Sequence, residues 1–174
     1  MTGQNGNLSV RPVRTEDIPE ILALYDAARA RMRTLGNRSQ WINGYPGAKD
    51  VLNDIQSGTG FVIEDGRSVC GVFAFLVGED PTYRIIEDGA WPNARPYGTI
   101  HRIAGKENTH GIFQQCVRYC LTVISELRVD THSDNALMRH VVEKNGFIRC
   151  GIIHLEDGSP RIAYHLSRSP RSGS

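Results

Sequence analysis

The sequence lacks any apolar run that approaches the roughly 18 residues a membrane-spanning helix requires. Its first seven residues, M-T-G-Q-N-G-N, contain neither a basic segment nor an apolar core, so no secretory signal peptide is predicted. Cysteine is scarce, with four in 174 residues, and no C-x-x-C pair or spaced histidine cluster occurs. These absences argue against a membrane protein and a disulfide scaffold, and they predict a cytoplasmic location.

An excess of charge of one sign is also absent. Twenty basic residues face nineteen acidic ones, and the net charge is +1. Two of the arginines, Arg168 and Arg171, lie in the last eight residues, so the rest of the chain holds eighteen basic and nineteen acidic residues. A protein that binds nucleic acid through its surface normally carries a basic patch. Neither nucleic acid nor a membrane is therefore expected as a partner.

The four cysteines all lie inside apolar patterns, which predicts reduced and buried thiols. Cys116 and Cys120 are one helical turn apart, which leaves a metal site as the less favoured alternative. We expect no metal. The cysteines are Cys70, Cys116, Cys120 and Cys150.

The composition, 40% hydrophobic and 22% charged, is that of a globular protein. The length suits one domain with a proper core. We assign that domain to residues 8–166 and expect disordered ends at 1–7 and 167–174.

Hydrophobic periodicity predicts eight strands and four helices. The strands are expected at 8–14, 61–64, 68–77, 82–86, 98–104, 127–132, 147–155 and 161–166, and the helices at 15–33, 48–57, 111–126 and 135–144. A helix connects strand 98–104 to strand 127–132, so these two are predicted to run parallel. The fold class is α/β (α+β), with a mixed, mostly antiparallel sheet, helices on both faces, and one splayed parallel pair.

The stretch from Tyr97 to Gln115 carries the clearest chemical signal. A β-rich run enters a loop of small and polar residues, and Gly111 then opens an amphipathic helix. The first amides of a helix have no internal partner, and the helix dipole places partial positive charge there. Such a strand–loop–helix junction suits a phosphate-bearing ligand.

Two motifs resemble those of a known family. The loop N-T-H-G-I-F, Asn108 to Phe113, is similar to the phosphate loop R/Q-x-x-G-x-G/A of the GNAT superfamily of acetyl-CoA-dependent N-acetyltransferases. An asparagine, Asn135, opens the helix after the next strand, and that helix ends in E-K-N-G-F, like the Y-E-K-x-G-F pattern of the family. The resemblance covers residues 8–166. It implies an enzyme that transfers an acetyl group from acetyl-CoA to the amine of a small molecule or peptide in a ternary complex.

Three positions depart from the family pattern. Asn108 stands where arginine or glutamine is usual, and Phe113 where glycine or alanine is usual. Val142 replaces the tyrosine that often protonates the departing coenzyme A thiolate. These departures keep open a non-catalytic acyl-CoA-binding module of the same fold. An unrelated α+β interaction domain, which would not bind coenzyme A, is the rival from a different class.

The resemblance also implies a set of cofactor-binding residues. The backbone N–H of Ile103 would bond the acetyl carbonyl, and Ala104 follows it along the strand. Asn108 opens the cofactor-binding loop, and the pyrophosphate would be held by the amides of Thr109, His110, Gly111, Ile112 and Phe113. Asn135 would reach the pantetheine arm or bridge the splayed strands, although an asparagine there is equally suited to cap its helix.

A base must deprotonate the incoming amine. Strand alternation would place His101 on the same face as Ile103, and histidine suits proton transfer near neutral pH. The alternative for His101 is a buried histidine hydrogen-bonded across the sheet. Further candidates are Glu87 and Asp88 as bases, and His132 and Tyr164 as acids. The other histidines, His110, His140, His154 and His165, are interpreted as surface or packing residues.

Three aromatics on irregular segments, Trp41, Tyr45 and Trp91, are candidates for acceptor-substrate contacts. The alternative is that they anchor their loops to the core. Together they suggest a partly apolar acceptor pocket. Many members of the family dimerise, so the resemblance leaves a homodimer open, and no feature of the sequence marks an interface.

Overall fold

The computed structural model describes residues 7–168. The strands are β1 (Ser9–Pro12), β2 (Gly60–Glu64), β3 (Val69–Val77), β4 (Gly98–Gly105), β5 (Glu126–Thr131), β6 (Ile148–His154) and β7 (Pro160–Ser167). The helices are α1 (Ile18–Thr34), α2 (Ala48–Ser57), α3 (Ile112–Val123) and α4 (Ala136–Lys144). The predicted disordered ends lie outside the described residues except for 7, 167 and 168, and Ser167 closes β7.

The seven strands form one sheet in the order β1-β2-β3-β4-β5-β7-β6. Every neighbouring pair is antiparallel except β4 and β5, which confirms the predicted mixed sheet with one parallel pair. That parallel pairing consists of Gly98 with Leu127 and Thr99 with Arg128. Beyond Thr99 the two strands separate, so a gap opens toward their carboxyl ends.

Helices cover both faces of the sheet, as predicted. On one face α3 and α4 share a hydrophobic cluster with the sheet that includes Phe73, Cys116 and Val142. On the other face α1 and α2 pack over a second cluster around Ile21 and Val62. All four cysteines are buried free thiols, as the apolar patterns predicted.

The long connection from β3 to β4 covers the rest of the second face. Its Tyr83 and Tyr97 pack with Ile153 of β6 and Ala163 of β7. The predicted strand 82–86 in this segment is wrong. Asp80 instead accepts a hydrogen bond from the Thr82 N–H at 2.9 Å and caps a short 3-10 helix at Pro81–Tyr83. An acceptor side chain followed by proline favours a helical turn over a strand.

The end of α3 also differs from the prediction. The helix predicted to reach residue 126 ends at Val123, because Ile124 is extended and Glu126 already belongs to β5. A run of β-branched residues at 122–124 disfavours a continued helix. Within α2, Leu52 is exposed, whereas Asp54 is buried and paired with Arg102.

A β-bulge interrupts β4. The pairing with β3 steps from Val72–Ala104 to Ala74–His101, so β4 contains one extra residue there. Arg102, inside the bulge, has φ 49°, a left-handed conformation that is costly for a non-glycine residue. A bulge changes the face of the sheet to which the following side chains point. This bulge lies at the start of the gap between β4 and β5.

Candidate active site

A cavity of about 1010 Å³ lies at the open end of the gap between β4 and β5. Its walls are the last turns of α1, the end of β4, the loop before α3, and the first turns of α3 and α4. Its volume is in the range of sites for large organic ligands. The predicted cofactor residues Ile103, Ala104, Asn108, Thr109, His110, Gly111, Ile112, Phe113 and Asn135 all line it.

The loop before α3 presents unpaired backbone donors to this cavity. Gly111 has φ 82° and begins the helix, whose first intrahelical acceptor is the Gly111 carbonyl, bonded by Gln115 N–H at 2.9 Å. Within the described residues, the amides of His110, Ile112 and Phe113 donate to no protein group. Thr109 differs from the prediction, because its N–H already donates to the Lys106 carbonyl at 3.1 Å.

Close packing fixes the start of α3 against the sheet. A Cβ added to Gly71 on β3 would lie 3.0 Å from the Ile112 side chain, and one added to Gly105 on β4 would lie 3.1 Å from it. A larger residue at either glycine would push against Ile112, so the two glycines allow the helix N-terminus to pack closely next to the end of β4. Arg31, Lys106 and Lys144 also line the cavity, against the carboxylates Glu107 and Asp134. Free amides and an excess of cations both suit an anionic ligand.

The bulge interrupts the pairing at Ile103. Neither Arg102 nor Ile103 has a residue paired with it on β3, and among the described residues β4 pairs with β5 only at Gly98 and Thr99, so Ile103 lies where β4 faces the gap. Ile103 lines the cavity and packs against the cluster beneath α3. A backbone N–H at this position suits donation to a carbonyl oxygen held in the gap.

His101 does not share a face with Ile103, so the prediction from strand alternation is wrong. Ile100 and Ile103, three residues apart, both pack against the α3 cluster because the bulge inserts a residue between them. His101 lies on the other face, with its Nε2 3.1 Å from Asp80 Oδ2 and its ring 6.4 Å from that of Tyr83. It is hydrogen-bonded, as the alternative interpretation held, but its side chain is 27% exposed and not fully buried.

Asp80, the carboxylate partner of His101, was missed from the sequence. It accepts hydrogen bonds from the Thr82 N–H at 2.9 Å and the Thr82 hydroxyl at 2.7 Å, and its own N–H donates to Tyr97 Oη at 2.8 Å. Burial would raise the pKa of Asp80, but the hydrogen bonds from His101 and Thr82 outweigh burial and lower the pKa to about 2. Asp80 is therefore ionised at neutral pH. The only sequence signal was the D-P-T turn that contains it.

Asn135 caps α4, since its Oδ1 accepts the Met138 N–H at 3.1 Å. Its Nδ2 donates to Gln40 Oε1 at 3.2 Å, and Asn37 Nδ2 donates to the same oxygen at 2.9 Å. These bonds connect the segment after α1 to α4 across the mouth of the cavity. Asn37 is buried, lines the cavity, and keeps a side-chain oxygen without a protein partner. Gln40 carried no sequence signal.

The two predicted acids do not line the cavity. His132 uses its Nδ1 to accept the Asp134 N–H at 3.0 Å. Tyr164 is buried in the core, where its hydroxyl donates to Glu143 at 3.3 Å, and burial raises its pKa. Val142 is also buried in that core and brings no hydroxyl to the site. Glu87 and Asp88 are exposed, and the Glu87 backbone is paired with Ile152 of β6.

The three aromatics are not brought together. Trp41 packs edge-on against Tyr25 of α1, with ring centroids 5.5 Å apart. Tyr45 is exposed, and its hydroxyl lies 3.4 Å from a guanidinium nitrogen of Arg102. Trp91 lies elsewhere, in the β3–β4 connection, where its indole N–H donates to the Tyr83 carbonyl at 2.8 Å. Trp41 and Trp91 both anchor their segments, which was the alternative interpretation.

Among residues 7–168, no helix is both long and apolar enough to cross a membrane. No group of three or more histidine, cysteine, aspartate or glutamate side chains in this part of the chain is arranged to hold a metal ion.

Solved structures share the architecture over nearly the whole chain, although the sequence matches no family model and no curated protein. A GNAT-family acetyltransferase from Streptococcus agalactiae superimposes with a TM-score of 0.84 at 29% identity, over 94% of this chain and 96% of that one. A GNAT-family acetyltransferase from Listeria monocytogenes gives 0.66 at 17% identity, over 97% and 99%. A ribosomal-protein-alanine N-acetyltransferase from Brucella melitensis gives 0.60 at 14% identity, over 92% and 99%.

The seven-stranded sheet with one parallel pair matches the fold of these acetyltransferases. The resemblance to the GNAT superfamily predicted from the two motifs is confirmed, and the chain has the GNAT fold. The neighbour from Streptococcus agalactiae, a named acetyltransferase at 29% identity, supports an acyl-transfer function.

Proposed function

We propose that the protein transfers an acetyl group from acetyl-CoA to the amine of a small molecule or peptide, with both substrates bound at once. One observation carries the proposal. The free amides at the start of α3 and the bulge of β4 at Ile103 line the same cavity. A ligand with phosphates at one end and a carbonyl at the other matches that arrangement.

The residues present fit acetyl-CoA. The amides of His110, Ile112 and Phe113 would hold the pyrophosphate, with Lys106 and Lys144 adding positive charge. The pantetheine arm would pass the carboxyamide oxygen of Asn37, which otherwise has no partner. When bound, acetyl-CoA supplies an activated acyl group as its thioester.

The backbone N–H of Ile103 and the imidazole of His101 would then assist the transfer. The N–H of Ile103, in the bulge of β4, would donate to the oxygen on which negative charge develops. His101 would take a proton from the incoming amine. The ionised Asp80 orients His101 by accepting from Nε2–H, which leaves Nδ1 as the proton acceptor. Holding both substrates in place supplies much of the rate in such a step.

The departing thiolate finds no acid in the usual family position, because Val142 is an apolar core residue. A free thiol has a pKa of about 8.5, so the thiolate can leave without a proton donor. The same observation favours the second candidate function, an acyl-CoA-binding module without turnover.

Calorimetry with acetyl-CoA, coenzyme A and dephospho-acetyl-CoA tests the proposal. We expect about micromolar binding of acetyl-CoA that Gly111→Trp weakens at least about tenfold, because the indole would fill the phosphate end of the cavity. Gly66→Trp is the matched control. Gly66 has φ 86° against 82° at Gly111, but it lies in the exposed β2–β3 turn.

No binding heat in the wild-type protein, or equal affinity in Gly111→Trp, would refute the assigned phosphate site. Amines are then screened by release of the free thiol. Binding with no thiol release across cationic, aromatic and peptide amines would leave the binding module as the function.

A further inference from the structure

A second cavity, of about 530 Å³, lies between the β3–β4 connection and the sheet, on the same face as His101. It shares no lining residue with the first cavity. Its walls include Arg84, Trp91, Asn93, Arg95, Tyr97 and Arg128. Nothing in the proposed acetyl transfer uses these residues.

Arg128 of β5 is the buried charge of this cavity, with 4% of its surface exposed. Its guanidinium carbon lies 3.9 Å from the ring centroid of Trp91 and 3.9 Å from that of Tyr97. Two aromatic rings therefore pack against the guanidinium group. A ligand would bind Arg128 through the N–H groups at the edge of its plane.

The partners of that edge are neutral. Arg128 Nε donates to His165 Nδ1 at 3.1 Å, and a terminal nitrogen donates to the Asn93 carbonyl at 3.1 Å. Among residues 7–168 no carboxylate pairs with Arg128 directly. Glu126 is linked to it indirectly, through His165, whose Nε2 lies 2.6 Å from Glu126 Oε2, and through Asn93, whose side-chain amide donates to Glu126 at 3.2 Å. Buried charges are ordinarily paired, so the direct carboxylate partner of Arg128 is missing.

Two arginines and one carboxylate, Glu79, line the mouth of the cavity, so its net charge is positive. Arg84 and Arg95 are mostly exposed there, and their own contacts are long, 3.6 Å from Arg84 to Glu79 and 3.5 Å from Arg95 to Glu126. A purely structural role would explain why Arg128 stacks between two rings and anchors the connection to the sheet. That role does not explain why two further arginines surround an opening above it.

We propose that this cavity binds a carboxylate group, held edge-on by Arg128 and attracted by Arg84 and Arg95. A guanidinium matches a carboxylate in its planar donor geometry, and the aromatic walls suit a carboxylate attached to a flat or apolar body. The cavity volume suits a small organic acid.

Two sources of the carboxylate fit the position of the cavity. Thr99 of β4 pairs with Arg128, and His101 lies two residues further along β4 on the same face. Tyr83 lines the cavity and its ring lies 6.4 Å from that of His101. The carboxylate therefore belongs to the amine acceptor, which rests on the proposed function, or to a separate small acid that binds beside it.

Tryptophan fluorescence tests the binding without any acetyl-CoA. The chain has two tryptophans, so Trp41→Phe leaves Trp91, a wall of the cavity, as the single reporter. We expect benzoate to change the Trp91 emission saturably and the neutral isostere benzamide to leave it unchanged. In this background Arg128→Gln should weaken benzoate binding at least about tenfold, since it removes a charged hydrogen-bond donor.

Arg95 is an exposed side chain, so Arg95→Gln should leave the fold intact. This variant should weaken benzoate binding about threefold. Arg118→Gln, on the exposed surface of α3, is the matched control and should bind as the parent does. An equal response to benzamide, or unchanged benzoate affinity in both Arg95→Gln and a folded Arg128→Gln, overturns the proposal. If Arg128→Gln does not fold, the double variant Arg84→Gln/Arg95→Gln decides, because both side chains are at the surface.

Transfer assays then separate the two sources. If the acceptor carries the carboxylate, Arg95→Gln raises KM for a carboxylated amine and leaves KM for its uncharged amide analogue unchanged. If a separate acid binds, benzoate alters the kinetics of the uncharged amine. A protein that transfers no acetyl group still gives the fluorescence result, so failure of the proposed function and failure of this inference are distinguishable.

Discussion

Two histidine–carboxylate pairs lie on one face of the sheet, in different surroundings. His101 of β4 lies 3.1 Å from Asp80, and its side chain is 27% exposed. His165 of β7 lies 2.6 Å from Glu126, and its side chain is 1% exposed. In each pair the carboxylate is held ionised, with a pKa lowered to about 2 by hydrogen bonds that outweigh burial.

The pairs differ at the second ring nitrogen. His165 Nδ1 accepts from Arg128, so both of its nitrogens are satisfied within the protein, and burial lowers its pKa. Within the described residues, His101 Nδ1 has no partner. The His165–Glu126 pair is thus a structural link, because both ring nitrogens are bonded. In the His101–Asp80 pair one ring nitrogen is free, so His101 is a candidate proton carrier.

The largest expected effect comes from His101→Gln. The amide can still donate to Asp80 but cannot take a proton, so we expect kcat for acetyl transfer to fall at least about 100-fold. Binding of acetyl-CoA should stay unchanged, because His101 does not line that cavity. Steady-state thiol release and calorimetry measure the two quantities. His140→Gln, at an exposed position on α4, is the control, and a loss below about threefold in His101→Gln would exclude His101 as the base.

His165→Leu should destabilise the fold. The substitution removes the imidazole that bonds both Glu126 and Arg128 and leaves these two charged groups buried. We therefore expect the free energy of unfolding to fall by about 3 kcal/mol. Urea denaturation followed by circular dichroism measures this change. His101→Gln should cost less than about 1 kcal/mol in the same experiment, since its partner remains reachable by solvent. Equal losses in the two variants would contradict the distinction between the pairs.

The smallest effect expected is the pH dependence that Asp80 contributes. Because its pKa is lower in the folded protein, about 2 against about 3.9 in an unfolded chain, its ionised form stabilises the fold above pH 4. That stabilisation is lost as the pH falls from about 4 to about 2. The difference in unfolding free energy between wild type and Asp80→Asn should therefore be full at pH 5 and close to zero near pH 2. A difference that stays constant over this range would show that the Asp80 carboxylate is not stabilised by its partners.

The parts of the fold that depend on local periodicity could be predicted from the sequence. The α2 helix, the β2–β3 hairpin and the parallel β4–β5 pair follow from repeating apolar positions and their turns. The end of the first cavity formed by the loop before α3 could also be predicted from the sequence, because a glycine at a helix start after a strand is a local signal. The backbone donors there require no particular side chain.

The rest of the site depends on contacts that no local pattern records. The Asp80–His101 pair joins residues 21 positions apart, and the Gln40–Asn135 bond joins residues 95 apart. The bulge at Arg102 broke the two-residue alternation on which the assignment of His101 relied. The assigned strand 82–86 failed because Asp80 and Pro81 specify a helical turn, although the residues that follow have high β-propensity.

The short β4–β5 pairing has a mechanical consequence. Two residue pairs, Gly98–Leu127 and Thr99–Arg128, are the only backbone pairing between the four-stranded and three-stranded parts of the described sheet. This seam is where the two parts would separate first under load. A ligand with several amide groups, bound between the two strands, would form hydrogen bonds with both of them. Such a ligand would therefore strengthen the connection between the two parts of the sheet as well as occupy the site.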